Sequence, residues 1–92
     1  MAKSILQDRK ECFITKSTDN LHCHHVFSGA YRKNSEKFGL KVWLRADWHN
    51  ASDFGVHFDK NLDLFFRQLA QRKFEETHTR DEFIRYFTKS YL

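Results

Sequence analysis

Five of the chain's six histidines fall between positions 22 and 57, at His22, His24, His25, His49 and His57. Neutral imidazole is a good ligand for divalent metals, and its ordinary pKa of ~6.5 suits a general base near neutral pH. His24 and His25 end the run Leu21–Phe27. His49 follows the run Leu40–Leu44, and His57 closes Gly55-Val56-His57. The sixth, His78, lies between two threonines at a helix start and reads as solvent-facing. Adjacent side chains on a strand point to opposite faces. His24 and His25 therefore cannot serve one metal ion as equals: one can ligate, while the other, at the strand end, can act as base on a water. His49, on an element directly after the second run, can approach the same point.

The elements that must position these residues follow from the pattern. Glu11–Thr15 and Leu21–Phe27 flank the turn residues Ser17, Thr18, Asp19 and Asn20, and are expected to pair as a β-hairpin. Tyr31–Phe38 is polar and basic, a loop with one helical turn stopped by Gly39. Leu40–Leu44 alternates apolar and polar and predicts a strand; Ala46–Asp53 predicts a short helix. Asp59 is placed to cap a helix whose apolar face holds Leu62, Phe65, Phe66, Leu69, Ala70 and Phe74. Thr79 and Glu82 match a capping box ahead of Phe83, Ile84, Phe87 and Tyr91. These aromatic stripes read as core.

Composition bounds the rest. Ninety-two residues suit one domain. Charged residues make up 30% and mean hydropathy is −0.73, so ten Phe, three Tyr and two Trp must supply most of the core bulk. No stretch approaches the ~18 apolar residues of a membrane span, and the N-terminus lacks the apolar region of a secretory signal. Two cysteines, Cys12 and Cys23, cannot form a disulfide framework and read as reduced thiols, consistent with a cytoplasmic location. Nine Lys/Arg against four acids lie in residues 1–45, whereas residues 46–92 carry seven against eight. Such one-sided basic charge is the electrostatic footprint of a nucleic-acid face.

The stretches Cys12-Phe13-Ile14-Thr15, His24-His25-Val26-Phe27, Gly29, Arg32-Lys33, Ser35-Glu36, Gly39-Leu40, His49-Asn50 and Gly55-Val56-His57 resemble, in that order, an HNH endonuclease domain. With Ala70-Gln71, Phe74-Glu75, Thr79-Arg80, Phe83-Ile84 and Tyr91-Leu92, the chain is similar to small phage-borne HNH proteins. The resemblance implies an α+β fold: a ββα-metal core over 10–57, two strands plus a short helix, buttressed by two C-terminal helices over 58–92. It implies a DNA phosphodiester hydrolase using one divalent cation (Mg, Mn, Ni or Zn) in a bacterial host cytoplasm. His25 would be the general base. His24 and His49 would hold the metal, with His57 as third ligand or phosphate contact and Asp53, one helical turn beyond His49, as the rival third ligand. Arg32 and Lys33 would contact DNA phosphates, which position the backbone without reading sequence.

Two departures stand out. Family members of this kind hold a structural zinc with two Cys-x-x-Cys-like pairs, but here the pairs read Cys12-x-x-Thr15 and Arg45-x-x-Trp48. One ligand of four remains, so no structural zinc is expected. Arg45 and Trp48 are expected to close the gap over Cys12, with Trp48 largely buried. The family asparagine before the second strand is also replaced, by Gly39 and Leu40. These losses give the alternative: a catalytically degenerate HNH fold that binds a protein partner and inhibits host defence, in the manner of anti-CRISPR proteins.

Overall fold

The computed structural model describes residues 3–51 and 55–92. They form a small α+β unit of two antiparallel strands and four α-helices. Strand β1 (Leu21–His25) pairs with β2 (Lys41–Arg45) in the register His22↔Leu44, Cys23↔Trp43, His24↔Val42 and His25↔Lys41. A 3-10 turn (Gly29–Tyr31) and helix α1 (Arg32–Lys37) connect them. Helix α2 (Ala46–Asn50) continues directly from β2, and α3 (Lys60–Phe74) and α4 (Arg80–Phe87) follow. Among the described residues, no helix is long and apolar enough to cross a membrane.

The expected hairpin is corrected. Glu11–Thr15 is not a strand but a tight turn around the fully buried Cys12. Lys16, at φ +66°, donates its N–H back to the Cys12 carbonyl, and the Cys12 N–H bonds the Ser17 carbonyl. The turn still serves the sheet, because the Phe13 N–H donates to the Trp43 carbonyl at 2.8 Å. The Trp43 N–H in turn donates to Gln7 Oε1 at 2.6 Å. The free edge of β2 is thus satisfied by a loop and a side chain, which protects it from pairing with another chain.

The sheet's two faces differ. Val42 and Leu44 join Val26, Phe27, Leu40, Val56, Phe66, Ala70, Phe74, Phe83 and Phe87 in one buried cluster. The Lys41 and Trp43 face is crossed by the N-terminal segment, tied down by Ser4 Oγ donating to the Lys41 carbonyl (2.5 Å) and Ile5 N–H to the Gly39 carbonyl (2.9 Å). Gly39 is required there. Its φ is +70°, and a Cβ would lie 2.2 Å from the Lys3 carbonyl oxygen.

Both long helices start as their caps dictate. Asp59 accepts the N–H groups of Asn61 and Leu62, and Thr79 and Glu82 form a reciprocal capping box. The buried stripe of α3 is Phe66, Ala70 and Phe74, spaced by four, with Leu62 and Leu69 beside it. Phe65, expected in that stripe, is 49% exposed. It lies one residue, about a quarter turn, off the line of Phe66 and packs edge-on against Phe13 and Phe66. The buried polar member is Gln71, whose amide bonds Glu75, Ser90 and the Tyr91 N–H, pinning the C-terminus to α3. His78, expected to face solvent, is partly buried and stacks on Phe74 with ring centroids 4.2 Å apart.

Candidate metal centre

Strand alternation puts His22 and His24 on the face of β1 that looks toward α2 and α3. Helix α2 starts where β2 ends and delivers His49 to the same face. His57 arrives on the turn before α3, which is held against α2 by the Val56 N–H to Trp48 carbonyl bond (2.7 Å) and the Gly55 N–H to Ala51 carbonyl bond (2.8 Å). One ligand nitrogen from each of His24, His49 and His57 lies within 4.8 Å of the others. Among the described residues this is the group of three or more His, Cys, Asp or Glu close enough to share an ion. The rival ligand Asp53 lies outside the described residues.

The donor set fits a divalent cation. His24 is 3% exposed, and its Nε2 is buried without a hydrogen-bond partner. A buried imidazole nitrogen left unpaired costs ~1–3 kcal/mol, so it calls for an electrophile. His49 Nε2 and His57 Nε2 stand 2.8 Å apart. His49 Nδ1 is meanwhile 3.1 Å from His22 Nδ1, and Asn50 Nδ2 is 3.1 Å from that same His22 nitrogen. His22 and Asn50 thus occupy the position of outer partners that fix the ring orientation of a ligating histidine. Burial, then the neighbouring histidines, pushes His24 down to about 3 and His49 down to about 4. Both are neutral at pH 7, the form that ligates.

Beside the cluster is a cleft of about 160 Å³ lined by His24, His57, Asp59, Lys60, Asp63 and Arg67, among others. Residues 60, 63 and 67 share one face of α3. Arg67 Nε lies 2.9 Å from Asp63 Oδ2, close enough to pair but misaligned for an N–H···O bond. Burial pushes the Asp63 carboxyl up, partly offset by Arg67 and His57. This acid–base pair was not read from the sequence as part of the site, although its i,i+4 spacing and the Lys60-Asp63-Arg67 face were visible there.

His25 is not part of the group. It is 8% exposed, on the other face of β1, with Nε2 2.9 Å from Glu36 Oε1. Glu36 also accepts from Lys41 Nζ at 2.6 Å, and those two partners hold its carboxyl down to about 2. Arg32 and Lys33 are exposed at the start of α1. Cys12 Sγ accepts the Thr15 N–H at 3.4 Å. Burial raises that thiol's pKa, but hydrogen bonds from Thr15, Arg45 and Ile14 outweigh it and hold it below its ordinary value. Trp48 is partly buried against the core. The Arg45 guanidinium, expected over Cys12, instead forms a two-bond pair with Asp47 at 2.7 and 2.8 Å.

No protein-family profile, curated protein or solved structure matches the chain.

Gly55 is the residue that lets His57 reach His49: a Cβ there would meet the Ala51 N and O at 2.6 Å each. Those are backbone atoms that cannot swing aside. Gly55→Ala is expected to push the turn off α2 and weaken zinc binding at least ~10-fold, as losses of positioning groups around metal ligands do. Zinc competition against a chromophoric chelator checks this; unchanged affinity would mean that the turn does not set the site.

Proposed function

We propose that the chain is a divalent-metal-dependent DNA phosphodiester hydrolase of the ββα-metal, HNH-like kind. The observation that carries the reading is the buried, unpartnered Nε2 of His24 within a three-histidine group built from strand, helix and turn. Three histidines are the ligand set of open catalytic sites rather than closed structural ones. His24, His49 and His57 would hold the ion, and His22 would orient His49. The ion would supply Lewis-acid stabilisation of charge developing on the scissile phosphate. Lys60 and Arg67 line the adjoining cleft and would bind phosphate oxygens. The basic surplus of the first half, Arg32 and Lys33 included, would guide the backbone.

The test is nicking of supercoiled plasmid with Mg²⁺, Mn²⁺, Ni²⁺ or Zn²⁺ beside the His49→Ala chain. Metal-dependent nicking lost in His49→Ala supports the reading; nicking that is metal-independent, or absent with every metal, refutes it. His25, on the opposite face of β1 and bonded to Glu36, does not reach a water on this ion, so His25→Ala should retain metal-dependent cleavage; cleavage lost with zinc affinity and melting temperature intact would overturn that placement. Arg32→Ala combined with Lys33→Ala should lower the slope of log affinity against log salt by up to ~2 for two lost phosphate contacts. A filter-binding series across salt concentrations measures it, and an unchanged slope would remove both residues from the interface.

A further inference from the structure

The sheet face opposite the histidines carries the larger pocket, about 500 Å³, in the size range of small-ligand sites. One wall is the outer face of the strands, with Trp43, Lys41 and Cys23; the other is the N-terminal segment, with Lys3, Ser4, Gln7, Asp8, Arg9 and Lys10. The wall does not need to form on binding. Ser4, Ile5 and Gln7 already bond β2 and Gly39, and Gln7 Nε2 also donates to the Glu11 carbonyl at 2.8 Å. Preformed walls spare a ligand the entropy of ordering them.

The lining has two chemistries side by side. Trp43 offers a partly exposed indole, with Lys10 Nζ 4.6 Å from its ring centroid. Lys3, Arg9 and Lys10 are exposed, and none of the ion pairs among the described residues engages them. Lys41 is spoken for by Glu36, and Asp8 is the one acid of the lining. Burial pushes the Cys23 thiol up, so it adds no negative charge. A flat aromatic surface bordered by unpaired cations matches a ligand that is planar at one end and multiply anionic at the other. We infer that this pocket binds a nucleotide unit, its base stacked on Trp43 where Lys10 now lies, its phosphate held by Lys3, Arg9 and Lys10. Base–aromatic stacking with a basic rim is how single nucleotides are held without sequence preference. The source is either a free nucleotide or one residue of a single strand; the chemistry is the same.

The test uses the full chain in EDTA, so that it does not depend on the metal centre. Adenosine 5′-monophosphate, a ten-residue oligo-dT and inorganic phosphate are titrated separately, read by tryptophan fluorescence and calorimetry. The two nucleotide probes should quench the fluorescence and phosphate alone should not. A monophosphate that binds as tightly as the oligonucleotide identifies a free nucleotide; an oligonucleotide at least tenfold tighter identifies a strand. The exposed pair Arg9→Ala and Lys10→Ala should weaken either at least tenfold with melting unchanged. Trp43→Leu should abolish quenching, and His24→Ala, which removes the metal ligand, should leave nucleotide binding intact. The inference is overturned if neither nucleotide probe binds at millimolar concentration. It is equally overturned if phosphate competes as well as nucleotide, which would make the pocket an anion patch, or if the Arg9/Lys10 variant binds normally.

Discussion

His24→Ala abolishes high-affinity zinc binding, and with it metal-dependent plasmid nicking. The expectation rests on the unequal positions of the three ligands. His49 and His57 are partly or fully exposed, whereas His24 is 3% exposed and anchors the group on the strand. The partly buried His49 and the exposed His57, on a short helix and a turn, retain weak affinity at best, because only His49 has outer partners, His22 and Asn50, and the ion would have two ligands. Loss of an outer partner of a ligating histidine costs 10–100-fold. His22→Ala should therefore fall in that range and His24→Ala well beyond it. The melting temperature reports the same difference without any need for activity. Zinc at ~100 times its Kd stabilises the native state by ~2.7 kcal/mol, which in a domain of this size raises Tm by ~10–20 °C. That shift should vanish in His24→Ala and persist, at higher zinc, in His22→Ala. A zinc-induced shift that survives His24→Ala would place the metal elsewhere and end the reading. The alternative, a partner-binding relative without chemistry, predicts no shift in the parent chain.

How far the site was legible depends on which physical rule decided each part. The approach of His49 to the His24-His25 strand was visible because strand alternation and a short helix directly after a strand are local patterns, whereas the choice of His24 over His25 and the place of His57 came only from the HNH resemblance. His25 was expected at the same site as the general base, but it lies on the other face of β1 against a partner the sequence did not reveal. Glu36 lies 11 residues away across α1, and only the pairing of β1 with β2 puts His25 opposite Lys41 and both beside Glu36. The strand pairing itself was misread for a related reason. Glu11–Thr15 and Leu40–Leu44 both have strand-like composition, and nothing local says which one Leu21–His25 will choose. In the fold the Lys16 N–H to Cys12 carbonyl bond closes this segment into a turn, with Lys16 in the left-handed region, so it does not extend beside β1. The nucleotide pocket was invisible for the same reason: its N-terminal wall is distant in sequence from Cys23 and still more so from Lys41 and Trp43, and the walls meet only through Ser4, Ile5 and Gln7.

The metal-free chain should be markedly acid-labile, over a window set by His24. In the unfolded chain its imidazole takes up a proton near pH 6.5; in the folded chain burial, reinforced by His49, His57, His25 and Arg67, pushes that event down to about 3. Above pH 6.5 both states hold the ring neutral, and stability does not depend on it. Between 6.5 and about 3 the unfolded state binds a proton that the folded state refuses, so stability falls steadily as pH falls. At ~1.4 kcal/mol per pH unit, His24 alone removes roughly 3 kcal/mol by pH 4. His49, pushed down to about 4 by burial and by His57 and His22, acts in the same direction. Carboxylates held low by their partners, Glu36 to about 2 among them, also destabilise in acid, but mainly below pH 4.5. The interval from pH 6.5 to 5 therefore belongs to the histidines. Urea unfolding of EDTA-treated protein at pH 7, 6, 5 and 4 should show the loss. His24→Leu, neutral at every pH, should remove about half of the slope in the upper interval, the remainder belonging to His49, which still takes up a proton on unfolding. If His24→Leu shows the same dependence as the parent chain, the buried imidazole is not what acid attacks. The neutral, metal-ready state assigned to His24 would then have to be abandoned.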